Sequence, residues 1–209
     1  MEQKEKEVNI NIITLGDQCV GKTSIINRIK YKQFQEHLNR TFGVQSLTIK
    51  RKYEKKNIMI LLNFKDTAGQ EIFLGTLPLQ YIRNSHIVLL VFSNIETLNS
   101  LKDRWYTFYK AQANIENSRF ILIGNKSDIF GDEKAEILKQ GQEFADEIDA
   151  HFITCSAKSA DNMDNVENYI ISEAKRFINE AFEILKEINN NKKVNLNEKH
   201  IDKKNDCNC

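Results

Sequence analysis

The sequence predicts an α/β fold, a mostly parallel sheet wound on both faces by helices. Three features predict it. Short apolar runs alternate along the chain with longer helical patterns, the signature of strands and helices in turn. Several runs, such as "IVLLVF" (87–92), are nearly continuous in aliphatic and β-branched residues, which suits strands covered on both faces. One run, "VQSLTIKRKY" (44–53), alternates instead and reads as an edge strand.

In chain order, "VNINIITLG" (8–16), 44–53, "NIMILLNF" (57–64), "HIVLLVF" (86–92), "RFILIGN" (119–125) and "HFITCSA" (151–157) are the predicted strands. The "EKKN" link after Tyr53 is long enough only for a hairpin, so strands two and three should be antiparallel. Helical patterns cover about 22–31, 70–83, 96–112, 133–148 and 162–188. The last is the clearest: Val166, Tyr169, Ile170, Ala174, Phe177, Ile178, Ala181, Leu185 and Ile188 recur at three- and four-residue steps. Residues 1–7 are a short charged extension, 8–188 one domain, and 189–209 a tail. The tail holds seven Asn, five Lys and three aliphatics, too little apolar surface to fold alone, and is expected to be disordered.

The 209 residues are enough for a full core. Thirty Lys and Arg against twenty-nine Asp and Glu leave a net charge of +1, so no global field draws the chain to nucleic acid. Four cysteines are too few for a disulfide scaffold, which favours a reducing compartment. The N-terminus lacks an apolar core, so no signal peptide is expected.

"GDQCVGKT" (16–23) fits G-x-x-x-x-G-K-[ST] between a predicted strand and a predicted helix. Gly16 and Gly21 permit a tight loop through Asp17, Gln18, Cys19 and Val20, with amides turned toward phosphate oxygens. The following helix start, with Ser24 in its first turn, adds favourable potential. Lys22 would bridge β- and γ-phosphates, and the Thr23 hydroxyl would ligate Mg²⁺. In "DTAGQE" (66–71), Asp66 would hold Mg²⁺ through a water, the Gly69 amide would reach a γ-phosphate, and Gln70 would orient an attacking water. In "NKSD" (125–128), the Asp128 carboxylate can accept from both N1 and N2 of guanine, which adenine cannot offer. Asn125 would bond N7 and brace the loop, and Lys126 would lie along the base. In "SAK" (Ser156, Ala157, Lys158), the Ala157 amide would donate to guanine O6. Each tetrapeptide alone is equally an ordinary turn; their order at successive strand ends is what points to a nucleotide.

On these motifs the chain resembles a Rab-type small GTPase of the Ras superfamily over about residues 8–188. The resemblance implies a P-loop NTPase fold with a six-stranded sheet, one antiparallel edge strand and five helices. It implies GTP, GDP and Mg²⁺ as ligands, slow GTP hydrolysis, and two switch segments that order around the γ-phosphate. It supplies Thr41, in "RTFG", as the switch I hydroxyl on Mg²⁺, and Phe34 as an aromatic edge against guanine; helix-end core is the other reading of Phe34. It also implies an exchange factor, an activating protein, a GDP-dissociation inhibitor and effectors as partners. A P-loop kinase or ATPase is disfavoured by Asp128.

The chain ends Cys207-Asn208-Cys209, which resembles Rab proteins lipidated on both cysteines; two lipids anchor stably where one does not. A metal site from His200, Cys207 and Cys209 is the alternative, short of a fourth ligand. The resemblance thus implies the cytoplasmic face of an endomembrane, with a cytosolic pool. "GDQCVGKT", "PLQYIRNS" (78–85) and the ending resemble the Golgi-associated branch. Three departures stand out. Gln18 replaces a small residue and would crowd the γ-phosphate and an inserted arginine. The segment from Gln70 to Tyr81 is one residue longer than in that branch. Ser46 and Lys65 replace the family's exposed Phe and Trp, unless a register shift brings Phe64 into that place.

Overall fold

The computed structural model describes the backbone of residues 6–36, 41–69 and 77–205, with side chains as far as 188. The chain forms two units, 1–174 and 175–209. The first holds a six-stranded sheet in the order β2-β3-β1-β4-β5-β6. The strands are β1 (Lys6–Leu15), β2 (Val44–Tyr53), β3 (Ile58–Thr67), β4 (Ile87–Phe92), β5 (Arg119–Gly124) and β6 (His151–Thr154). Only the β2–β3 pairing is antiparallel, as the short link between those strands requires.

Burial follows the predicted patterns. β4 is buried at all positions and β5 at all but the first, while only two of the ten β2 positions are buried. β3 runs three residues past the expected end, so Asp66 and Thr67 belong to the strand. β6 is shorter than expected and stops at Thr154.

Five helices lie among the described residues: α1 (Lys22–Tyr31), α2 (Leu79–Arg83), α3 (Ile95–Ser100 continuing to Gln112), α4 (Lys134–Glu147) and α5 (Met163–Asn205). Residues 70–76 of the expected second helix lie outside the described residues. α3 starts at a capping box in which Asn94 accepts from the Thr97 amide. Its middle, Leu101–Tyr106, widens into a π turn that carries the fully buried Trp105. Trp105, Tyr109, Phe92, Phe120 and Phe144 form the core on that side of the sheet. Tyr109 and Phe120 meet edge to face at 5.5 Å.

The tail differs from expectation. Helix α5 continues through 189–205, where coil was expected. No Gly or Pro interrupts the sequence from Ile188 to Asn205, so nothing local stops the helix. In the second unit, Arg176 pairs with Glu180 one turn on, and Lys186 with Glu183. Ile184, Leu185 and Ile188 are exposed there, so the last part of the expected apolar stripe is not buried. Among the described residues no helix is long and apolar enough to cross a membrane.

Candidate functional site

A cavity of about 450 Å³ opens at the carboxyl ends of β1, β3, β5 and β6. Such a position is where open α/β sheets take ligands. The loop after β1 begins at Gly16, with φ +142, where an added Cβ would stand 2.1 Å from the Val91 carbonyl oxygen. It ends at Gly21, with φ +97, the N-cap of α1. No side chain caps α1, and its first turn has no acidic residue, so the positive end of the helix faces the cavity.

Lys22 is buried, and its Nζ donates to the carbonyls of Gly16 at 2.9 Å and Asp17 at 2.8 Å. A buried ammonium bound to carbonyls and standing at a helix start gives this end of the cavity affinity for an anion. Beside it, Thr23 Oγ1 donates to Asp66 Oδ2 at 2.6 Å. Thr41 Oγ1 lies 2.9 Å from Thr23 Oγ1. Because the Thr23 proton goes to Asp66, Thr41 is the donor of that second bond. Two hydroxyls and a carboxylate gathered this closely are the hard oxygen donors that Mg²⁺ prefers. Thr14 Oγ1 donates to the Lys65 carbonyl at 3.2 Å, and Thr67 Oγ1 to the Thr14 carbonyl at 2.8 Å, fixing the strand ends that carry Asp66. An added Cβ on Gly69 would lie 2.6 Å from the Gln18 amide and 2.7 Å from Lys22 Nζ. The chain after β3 therefore meets the loop backbone to backbone.

At the other end of the cavity stand Phe34, Asn125, Lys126, Asp128, Ala157 and Lys158. Lys126 adopts a left-handed conformation, φ 63, and starts the short turn Ser127–Ile129 that presents Asp128. Asn125 is buried and ties three segments together. Its Nδ2 donates to the Val20 carbonyl at 2.8 Å, and its Oδ1 accepts from the Ala157 amide at 3.1 Å. The Ala157 amide, expected on a guanine O6, is thus directed at Asn125. The amide orientation follows from Nδ2 facing a carbonyl. Cys155 behind it is buried, which, with Asp161 nearby, pushes its thiol up to about 12; it is a packing residue. Ser156 is also buried, and its Oγ accepts from the Ser159 amide at 3.1 Å.

The cavity wall thus includes Gln18, Cys19, Gly21, Lys22, Thr23, Ser24, Phe34, Thr41 and the base-side residues just named. Gly16, Val20, Asp66, Gly69 and Ser156 stand behind it. Phe34 lies in the loop beyond α1 and lines the cavity, not the helix-end core. Gln70 lies outside the described residues, as do the side chains of His200, Cys207 and Cys209. The Asp17 carboxylate turns away from the cavity to accept from Trp105 Nε1 at 2.8 Å and Ser100 Oγ at 2.9 Å.

Several contributors carried no sequence signal. Gln35, Glu36, Thr67, Ala68 and Ile129 also line the cavity, and Ser100 and Trp105 hold its loop through Asp17. Thr67 and Ala68 are motif positions within 66–71 to which no role was given; the others belong to no motif, and only the fold brings them here. The sequence model of the Ras family matches residues 11–201. With most of its length so matched, and with phosphate-, cation- and base-side residues arranged around one cavity, the chain belongs to the Ras family, small GTPases that bind guanine nucleotide with Mg²⁺ and hydrolyse GTP.

Proposed function

We propose that the chain is a Rab-type switch, recruiting vesicle-traffic effectors to the cytoplasmic face of an endomembrane in its GTP form. The observation that carries the switching part is Thr41 Oγ1 at 2.9 Å from Thr23 Oγ1. A switch I hydroxyl at the cation-binding corner lets the third phosphate and its cation decide whether that segment is held. Lys22 and the α1 start would hold the phosphates, Thr23 and Thr41 would hold Mg²⁺ with Asp66 acting through a water, and Asp128 would select guanine. Mg²⁺ supplies neutralisation of charge on the phosphate oxygens. The Gly69 amide faces the γ-phosphate, and Gln70 orients the attacking water. Hydrolysis is slow alone, and an activating protein adds about 10³- to 10⁵-fold, the general range for a supplied arginine finger.

The Rab assignment rests on the resemblance and on Cys207 and Cys209, which take prenyl groups. A GDP-dissociation inhibitor keeps a cytosolic pool, and an exchange factor reloads the protein at its membrane, the Golgi being the branch its motifs most resemble. A second reading, a scaffold that barely hydrolyses, is favoured by Gln18 on the cavity wall, where its side chain obstructs an incoming arginine.

Competition of labelled GDP with ATP tests the site, with Asp128→Asn beside wild type: ATP should fail by roughly 10⁴-fold, and equal competition would overturn the reading. Single-turnover phosphate release with the activating protein separates switch from scaffold; Gln70→Leu should abolish the stimulated rate. Fractionation of Cys207→Ser, Cys209→Ser and the double variant, with mass spectrometry of the tail, tests the anchor. Unmodified tail on membrane-bound protein would contradict it.

A further inference from the structure

Arg28, on the last turn of α1, does not line the cavity, yet it reaches the base-side wall from behind. Its Nε donates to the Ala157 carbonyl at 2.8 Å and its Nη2 to the Lys158 carbonyl at 2.7 Å. Nη1 donates to the Lys32 carbonyl at 3.1 Å, and the guanidinium carbon stands 6.0 Å over the Phe34 ring. One planar fork thus ties the loop after β6 to the start of switch I. Both segments line the cavity, and they are about 120 residues apart in sequence.

The switch I end of this link is itself held. Lys32 closes α1 in a left-handed conformation, φ 56, with its amide on the Arg28 carbonyl at 3.0 Å. Its ammonium pairs with Glu167 of α5, which also accepts from Arg51 Nε of β2 at 2.9 Å. Burial alone would raise the Glu167 carboxyl, but hydrogen bonds from Lys32 and Arg51 outweigh it and hold the group below the usual range. The Lys32 carbonyl that Arg28 grips is therefore a fixed point, while Phe34, two residues on, belongs to the segment that responds to nucleotide.

We propose that Arg28 is a positioning residue that couples Phe34 to the base-binding loop and so sets how long guanine nucleotide is retained. This rests on the assignment of the cavity to guanine nucleotide. Loss of the fork frees the Ala157 and Lys158 carbonyls and the Phe34 ring together, so the base wall loosens at both sides. A lysine cannot substitute, because an ammonium offers a point charge where three carbonyls in different directions need a fixed fork.

The test is the dissociation rate of a fluorescent GDP from the Mg²⁺-loaded full chain, chased with excess GDP, for wild type, Arg28→Gln, Arg28→Lys, Phe34→Leu and Arg28→Gln/Phe34→Leu. Arg28→Gln should release GDP about 10- to 100-fold faster, as expected for lost charge-assisted hydrogen bonds, and Arg28→Lys should recover little. In the Phe34→Leu background, Arg28→Gln should add less than about threefold, since both act through one clamp. Chelating Mg²⁺ should accelerate release by the same factor in Arg28→Gln as in wild type, because the phosphate side is untouched. A folded Arg28→Gln within about twofold of wild type, or effects that multiply fully with Phe34→Leu, would overturn the proposal. If Arg28→Gln does not fold, wild-type release from Arg28→Lys overturns it equally. Wild type that retains no labelled GDP would bring down the nucleotide assignment itself, an outcome distinct from failure of the variants alone.

Discussion

Trp105 Nε1 donates to Asp17 Oδ1 across 2.8 Å, joining the loop after β1 to the π turn of α3. The indole is fully buried and is the only tryptophan in the chain. Ser100 adds a second donor to the same carboxylate oxygen. The phosphate loop is therefore not held by its own glycines alone; it hangs on the helix beside it.

Replacing Asp17 by Ala should leave the Trp105 N–H buried without its acceptor. That costs about 1–3 kcal/mol and lowers the melting temperature of the GDP-loaded protein by several degrees. Because no other tryptophan interferes, intrinsic emission reports the loop directly. Release of GDP should shift it in wild type, and Asp17→Ala should start near the released value. Emission indifferent to both changes would show the loop and α3 to be uncoupled.

Asn125 is the second keystone. Two of its side-chain hydrogen bonds, to Val20 and Ala157, link phosphate side to base side. Losing both, at about 1–3 kcal/mol each, should weaken GDP binding by roughly 10²-fold or more in Asn125→Ala. An added Cβ on Gly21 would stand 2.2 Å from Asn125 Nδ2, so Gly21→Ala should give a like loss by displacing the same side chain. Isothermal titration of GDP into both variants and their double tests this: the two losses should not add.

The sheet contains a pH-sensitive contact. His86 Nδ1 accepts from the Asn11 amide at 2.9 Å, which only the neutral ring can do. Burial lowers its pKa below 6.5, so on acidification the unfolded chain takes up the proton first. The stability this residue gives is full above about pH 6.5 and is lost as pH falls through the folded value. His151 is shifted the same way by burial, opposed in part by Glu173. Allowing for partial exposure, the His86 bond is worth about 0.5–1 kcal/mol, or about 1–4 °C. Melting scans between pH 7.5 and 5.5 should show a steeper loss in wild type than in His86→Gln.

The strands and their pairing were legible because burial on both faces writes itself as unbroken aliphatic runs; β4 and β5 show this most directly. The site was legible where chemistry demands a residue type in a fixed local spacing, as with Lys22, Thr23, Asp66 and Asp128. It was not legible where the partner comes from a distant segment. Arg28 in a helix reads as an ordinary solvated charge, and nothing near Trp105 marks it as the anchor of a loop 88 residues away. The bond from the Ala157 amide to Asn125, 32 residues off, was out of reach for the same reason. The tail helix was missed because composition speaks to burial and not to local propensity, and no residue there breaks a helix.

Ser46 and Lys65 set the character of the face between the switches. Ser46 and Lys65 are opposed in the β2–β3 register, and Lys65 Nζ donates to Ser46 Oγ at 2.8 Å while standing 4.7 Å over the Tyr81 ring. Phe64 pairs with Leu47 and is fully buried, so no register shift brings it to the surface. Where the Rab resemblance implies an apolar pair stand an ammonium resting on a ring and a hydroxyl, and desolvating that charge opposes an apolar effector helix. Among the described residues, the most exposed large apolar side chain is Phe42, 82% exposed and next to Thr41 in sequence. Effectors of this chain should therefore anchor on Phe42 and offer Lys65 an acidic group. With a non-hydrolysable GTP analogue loaded, Phe42→Ala should weaken its own effectors by about 2 kcal/mol, roughly 30-fold, and Lys65→Glu should weaken them through repulsion. Ordinary Rab effectors should bind wild type poorly and gain from Ser46→Phe with Lys65→Trp. Surface-plasmon measurements on both sets decide it: tight binding of the ordinary effectors to wild type, unchanged in the double variant, would show that these positions do not choose the partner.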